Sequence, residues 1–409
     1  MTDDLSTPLR TAPAIVAGPL RMAAAGRLSR MLTVEELRQW ARRRLPRPIF
    51  DFVDGGGENE LTMARNMAAF DRIGFRPRTV AAIAGRRQTV TLFGKPSAAP
   101  FGIGPMGGLG ILCRDADLVL ARLAARAGIP YVLATGANSS MEAIAAAAPD
   151  GRRWFQLYLF SDAGLNTRLM ERARSAGFEA LVVTTDTQIN AKRTRDMRHG
   201  FGLRLRPTRR NFVAFASRPG WVWRIALNPL SAMLGNIAPE LGPAPTADRA
   251  FHFFRSGRHR SVGWEELKPI RGFWQGPMLL KGIVTAEEVE RAIALGVDGV
   301  VVSNHGGRNL DGTMATIDAL PEVVAAAGGR LTVMLDSGIR RGGDIVKALA
   351  LGAQATLIGR PAAFAIAAAG AAGAEHVIAM LQDEIDRIQG LLGCPDFSRI
   401  DPSFVYRER

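Results

Sequence analysis

Residues 300–312 read VVVSNHGGRNLDG. The run Val300–Ser303 is too apolar to face water and so reads as a buried strand, after which the chain turns polar and glycine-rich. His305 and Arg308 therefore sit at a strand's carboxyl end, the edge where parallel β/α proteins gather ligands and catalytic groups. Gly306 and Gly307 let the backbone approach a ligand closely, and a histidine two residues past a strand is placed to exchange protons near neutral pH. Taken alone, His-Gly-Gly-Arg also fits an ordinary surface turn. The flanking sequence decides between the two.

Working outward, short apolar strands are expected at Pro100–Gly104, Pro130–Ala134, Trp154–Leu159, Ala180–Thr185, Met278–Lys281, Gly299–Ser303, Thr332–Leu335 and Ala355–Ile358. Helical patterns lie between most of them, at Asp115–Ala127, Asp162–Ala176, Thr285–Leu295, Ile317–Ala327 and Gly343–Leu351. Eight strands separated by helices predict an α/β protein, an eight-stranded parallel β/α (TIM) barrel in one domain over residues 31–401. Residues 187–263 are too long for a connection and predict an insertion after the fourth strand. Polar residues recur at the strand ends: Gln156 and Tyr158, Thr184 and Asp186, Lys281, His305 and Arg308, and Asp336. Several such groups on one rim define a candidate site.

The N-terminal part reads as a helical extension. Thr33-Val-Glu-Glu36 carries a capping box, and Gly55–Gly57 read as an ordinary tight turn between helices. Residues 1–30 read as a loosely ordered extension without a signal-peptide core, and 402–409 as a C-terminal tail. No apolar run is expected to span a bilayer, because Arg360 and Glu375 bound the Ala/Gly-rich stretch from Ala362 to Ala374.

The net charge of +14 is concentrated. Between Lys192 and Arg224 ten basic residues (Lys192, Arg193, Arg195, Arg198, Arg204, Arg206, Arg209, Arg210, Arg218, Arg224) face one acid, Asp196. Interleaved with Phe212, Phe215, Trp221, Trp223, Leu227 and Leu230, they read as an interfacial segment, arginines toward anionic headgroups and aromatics at the boundary. A solvated flap and an oligomer contact are the competing readings; nucleic acid is disfavoured because no nucleic-acid module is visible. Cys113 and Cys394 have no metal-ligand spacing, which points to a reduced intracellular setting. His199, His252, His259 and His376 are expected to face solvent and form no metal set.

Together, WFQLYL (154–159), TTDTQINAKRTRD (184–196), LLKGI (279–283), SNHGGRNLDG (303–312), LDSGIRRGGDIVKALALGA (335–353) and LIGRP (357–361) resemble the FMN-dependent L-2-hydroxy acid oxidising family. Glycolate oxidase, bacterial membrane L-lactate dehydrogenase and (S)-mandelate dehydrogenase belong to it. The likeness runs from about Thr33 to about Asp401, and RPGWVWRIALN with the later GCPD brings the chain nearest to the membrane-bound dehydrogenases.

The resemblance implies FMN as cofactor and His305 as catalytic base, with Asp186 orienting it and favouring its protonated form. It implies that Arg193 and Arg308 hold the substrate carboxylate, that Tyr158 lies near the substrate hydroxyl, and that Lys281 stabilises charge on the reduced flavin. Flavin-binding positions implied are Pro105, Met106, Gly107, Gln156, Thr184, Lys281, Ser303, Asp336, Gly338, Arg340, Gly359 and Arg360. The last five belong to the loops after strands seven and eight, the usual phosphate cradle of a barrel. No metal is implied.

Three positions depart from the family pattern: Phe52 stands for a tyrosine that bonds the carboxylate, Ala134 for a serine and Met106 often for a threonine. Gly107 agrees with dehydrogenases, where oxidases tend to have alanine, and so favours a quinone or other carrier over dioxygen. The resemblance further implies a small 2-hydroxy acid substrate, lactate- or mandelate-like, and a homo-oligomer, a tetramer. It implies a cytoplasmic enzyme, peripheral on the inner face of the cell membrane through residues 192–230. Competing expectations are an oxidase using dioxygen, a flavin barrel acting on a peptide-derived redox cofactor, and a lipid-binding protein that has lost catalysis.

Overall fold

The computed structural model describes residues 26, 28–200, 208–226, 233–243, 245–259 and 261–408. Eight parallel strands close into a barrel: β1 (Phe101–Ile103), β2 (Tyr131–Ala134), β3 (Arg153–Leu157), β4 (Ala180–Thr184), β5 (Met278–Ile283), β6 (Gly299–Val302), β7 (Thr332–Leu335) and β8 (Ala355–Ile358). Their order around the barrel is that of the sequence, with β8 pairing β1. All eight expected strands are present, each within a few residues of its expected ends.

Alternation along these strands builds two cores. Val132, Trp154, Val182, Leu279, Val301, Met334 and Leu357 form an inner cluster, and Leu92 joins it from the short hairpin Val90–Leu92/Lys95–Ser97. The neighbouring residues, such as Leu133, Phe155, Leu181, Val183, Leu280, Val300 and Val302, pack outward against the helices. With nearly every strand residue buried on both faces, polar groups have room only beyond the strand ends.

The five expected helices are present, and helices at Met141–Ala147 and Trp264–Phe273 complete the connections. Thr33 caps the helix Val34–Arg44, accepting from Glu36 N. The C-terminal segment is more than a tail: Val405–Arg407 pairs antiparallel with Ile73–Phe75. The N-terminal extension lies outside the described residues up to residue 25 and at 27.

Two further expectations change. The Ala/Gly-rich stretch is not a short segment but the first part of one helix, Arg360–Leu392, long and apolar enough to cross a membrane. Its most apolar window is 56% buried within the protein, and the helix kinks at Ala369 and Gly370. It is a core helix, with Ile366, Val377, Leu381 and Ile385 in the outer core. His199 does not face solvent: it is buried, with Nε2 2.8 Å from Asp51 Oδ2. A ring that finds a buried carboxylate partner across the fold leaves no mark in local hydropathy.

Candidate active site

The loop after β6 is held in a conformation that only its own sequence tolerates. His305 has φ of 59°, in the left-handed region, followed by Gly306 at 67° and Gly307 at 71°. A Cβ on Gly307 would sit 2.5 Å from Met63 N, so that glycine is required by space as well as by φ. Hydrogen bonds fix the strained turn: Ser303 Oγ accepts from His305 N at 3.1 Å, and Ser337 Oγ accepts from Gly306 N at 2.9 Å. Asn304 pairs reciprocally with Asn66, both bonds 2.8 Å.

The imidazole is thereby aimed along one line. Its Nδ1 lies 3.0 Å from Asp186 Oδ1, and its Nε2 lies 3.5 Å from the Tyr158 hydroxyl. In the neutral ring Nδ1–H donates to the carboxylate, which leaves the Nε2 lone pair facing the cavity. Burial pushes His305 down, and Lys281 and Arg193 add to this against the opposing pull of Asp186, so the ring titrates below the ordinary imidazole range. Asp186 favours the protonated ring, as expected, and burial outweighs it. Burial pushes the Asp186 carboxyl up, and His305 with Lys281 more than reverses this, holding it below the usual carboxylate range.

A cavity of about 180 Å3 opens at this rim. Of the expected site residues, Pro105, Met106, Gly107, Gln156, Tyr158, Lys281, His305, Arg308, Asp336, Gly338, Arg340, Gly359 and Arg360 line it, as do Phe52 and Ala134. Four do not. Asp186 stands behind His305, and Thr184 Oγ1 stands behind Gln156, accepting from its Nε2 at 2.9 Å. Ser303 Oγ supports the Lys281 ammonium at 2.8 Å. Arg193 lies beside Arg308, its Nε donating to Arg308 O at 3.3 Å.

Charge in the cavity is predominantly positive. The Lys281 ammonium is 3.0 Å from Asp336 Oδ2; burial pushes it down, but Asp336 and Asp186 hold it above its ordinary value. Arg308 donates to Phe52 O at 2.7 Å and Gly55 O at 2.8 Å and lies over the Phe52 ring at 5.2 Å. Burial, with Arg193 and Arg360 nearby, drives it well below its ordinary value. Arg360 donates to carbonyls of Val53, Gly306 and Gly55, and Arg340 Nη1 to the Ile339 carbonyl. Burial pushes Arg360 down to about 9 and Arg340 to about 10. None of these three guanidiniums forms an ion pair with a carboxylate among the described residues, so the cavity is built to receive anions.

Sequence reasoning missed part of this arrangement. Ser337, at φ of 76°, ties the β7 loop to the β6 loop and donates to Asp336 Oδ1 at 2.8 Å. The Gly55–Gly57 turn, read as ordinary, abuts the catalytic loop: Gly57 N donates to Gly307 O at 2.8 Å. A buried ionic network around Asp51 and Asp54 anchors the start of the insertion, with Arg195 bonding Asp54 Oδ2 at 2.8 Å and also Glu60. Arg195 is therefore no headgroup ligand. Trp221 is likewise core, 9% exposed, with Nε1 donating to Ile111 O at 2.9 Å, and the Phe215 ring lies 5.3 Å from it. Phe212 and Trp223 are 75% and 76% exposed, as the interfacial reading requires. Arg204, Arg206, Leu227 and Leu230 lie outside the described residues.

A parallel barrel with a shielded imidazole–carboxylate pair, and with guanidiniums free of carboxylates on the loops after β7 and β8, combines acid–base chemistry with a site for a phosphate. FMN fits these residues: Arg340 and Arg360, paired only with carbonyls, suit its phosphate, and Lys281 with Gln156 suits the polar edge of its ring. The chain belongs to the FMN-dependent dehydrogenase family, whose model matches residues 41–407. It is an FMN-dependent 2-hydroxy acid oxidoreductase.

Among its relatives, an L-lactate dehydrogenase of Caulobacter vibrioides is 38% identical over 370 residues, 90% of this chain and 96% of the relative. An L-lactate oxidase of Nostoc sp. is 37% identical over 382 residues, 93% and 99%. Among solved structures, the monotopic membrane protein (S)-mandelate dehydrogenase superposes with a TM-score of 0.88 at 35% identity, covering 93% of this chain and all of that one.

Proposed function

We propose that the chain oxidises an L-2-hydroxy acid, lactate- or mandelate-like, to the 2-oxo acid, with His305 as base and a lipid-borne quinone as final acceptor. The single observation that carries this is the half-buried His305 ring, tied through Nδ1 to Asp186 and presenting Nε2 to a cavity walled by Arg308 and Tyr158.

When bound, FMN supplies a two-electron acceptor. The substrate carboxylate is held by Arg308, with Arg193 beside it; planar forks suit a carboxylate better than an ammonium would. Tyr158 donates to the substrate hydroxyl. His305 Nε2 accepts a proton from the substrate as oxidation proceeds, and Asp186 stabilises the imidazolium that results. Lys281 holds positive charge beside the flavin ring, supported by Asp336 and Ser303. Gln156, held from behind by Thr184, would bond the ring's polar edge, Pro105, Met106, Gly107 and Ala134 would wall it, and Arg340, Arg360, Gly338 and Gly359 would cradle the phosphate.

The insertion supports attachment to an anionic membrane surface, as a peripheral protein on the inner face of the cell membrane. Phe212, Val213 and Trp223 are exposed on it, with Arg209, Arg210 and Arg224 exposed nearby. A protein so placed would meet a quinone directly. Gly107, the residue the dehydrogenase members carry, favours the same acceptor; a methyl there would stand 3.0 Å from Gly136 O. As the family resemblance implies, the protein would work as a homo-tetramer, and residues 31–401 would act as one catalytic domain with 187–263 as its basic and aromatic insertion.

The test is spectroscopic. Protein loaded with FMN is mixed anaerobically with glycolate, lactate and mandelate, then offered a soluble quinone or dioxygen. Bleaching by at least one L-acid and rapid recovery with quinone are expected. A flavin that no hydroxy acid reduces would overturn the substrate assignment, and stoichiometric peroxide at full rate would overturn the acceptor.

A further inference from the structure

Tyr158 is the first residue past β3, and the ring is held from the insertion side. Phe254 meets it edge-on, centroids 5.8 Å apart, and the Arg258 guanidinium lies over it at 5.3 Å and over Phe254 at 5.5 Å. Backbone pairing sets Arg258 there. Ser161 N donates to Gly257 O at 2.9 Å and His259 N donates to Leu159 O at 2.8 Å, so Arg258 runs antiparallel beside Phe160.

The side chain has no carboxylate partner within ion-pair distance among the described residues. Its Nη2 donates to Asn190 Oδ1 at 2.6 Å, and its buried Nε has no hydrogen-bond partner. A half-buried guanidinium usually finds an acid; here two aromatic faces take that place. Asn190 belongs to the outgoing arm of the insertion and Arg258 to the returning arm. The contact therefore joins both arms above the phenol.

We propose that Arg258 is a positioning residue for Tyr158, fixing the direction in which its hydroxyl donates and strengthening that hydrogen bond through an uncompensated positive charge. The inference rests on Tyr158 serving the substrate hydroxyl. A cation over the ring polarises the O–H, and the gain grows as negative charge develops on the substrate oxygen. The effect falls on kcat more than on KM.

The experiment is a double-mutant cycle on FMN-loaded protein with its best hydroxy acid. Arg258→Met is expected to lower kcat roughly 2- to 30-fold with KM little changed, and Arg258→Lys to recover part of the loss. In a Tyr158→Phe background Arg258→Met should cost almost nothing further. An equal loss in both backgrounds, or a rise in KM at unchanged kcat, overturns the proposal. If Tyr158→Phe alone is as fast as the parent, the assignment of Tyr158 fails instead, so the two failures are distinct. Should Arg258→Met fail to fold, Asn190→Ala, which frees the guanidinium from its one side-chain bond, enters the same cycle with the same expected dependence on Tyr158.

Discussion

Replacing Arg340 by methionine should move two properties in opposite directions. Burial pushes this guanidinium down to about 10, and its one side-chain hydrogen bond goes to the adjacent Ile339 carbonyl. The charged form is penalised only in the folded state, and well below pH 10 that penalty is carried in full. The shift corresponds to about 3 kcal/mol at neutral pH, an upper figure because water still reaches the side chain. Methionine keeps the volume and removes the charge, so apoprotein carrying Arg340→Met should melt a few degrees higher than the parent. FMN binding should weaken, since a charge-assisted bond to phosphate is worth about 1.5–3 kcal/mol, roughly a 10- to 150-fold rise in Kd. Thermal melts of apoprotein, paired with fluorescence titration of FMN, read both. A lower melting temperature together with weaker binding would mean that Arg340 is a structural strut, and the reasoning from its unpaired charge would be refuted.

His305 has to be neutral to accept a proton, and burial holds it below the ordinary range, so the acid limb of kcat/KM should lie lower than an ordinary imidazole would place it. Asp186→Asn, which removes the neighbour that raises His305, should shift this acid limb lower still; a shift upward would contradict the balance of charges. Phe52→Tyr should lower the KM for small hydroxy acids about 2- to 12-fold, the worth of one hydrogen bond to the carboxylate, and an unchanged KM would show that the two arginines already satisfy it. Replacing Phe212 and Trp223 together by serine should release the protein from anionic vesicles, and salt should weaken what binding remains; retention at parental level would point the insertion elsewhere.

The barrel is legible in the chain because each strand is buried on both faces, so apolar runs and the polar residues that end them stand out without any knowledge of contacts. For the same reason His305, Lys281 and Asp336 announce themselves. Residues whose role depends on a distant partner do not. His199 looks like a surface histidine until Asp51, 148 residues earlier, closes on it, and Arg195 looks like free charge until Asp54 does the same. Trp221 lies in a basic, aromatic run and yet turns inward to a carbonyl of Ile111, while Trp223 two residues on turns outward. Periodicity has little power in so short and irregular a helix. Ser337 is invisible for another cause: its left-handed φ and its bond to Gly306 N arise from loop geometry, which residue type barely encodes.

The turn at Gly55–Gly57 leaves almost no slack against the catalytic loop: a side chain on Gly56 would strike Gly307 O at 2.8 Å, and one on Gly57 would strike Asn309 O at 2.6 Å. Phe52, one helical turn earlier, lines the cavity with the Arg308 guanidinium over its ring. Within a few residues the chain thus sets a hinge-pin with no room for a side chain beside a ring that lines the cavity. Engineering a new preference for the acid's side chain should begin at the latter, because any library that reaches into the glycines will return unfolded or inert protein.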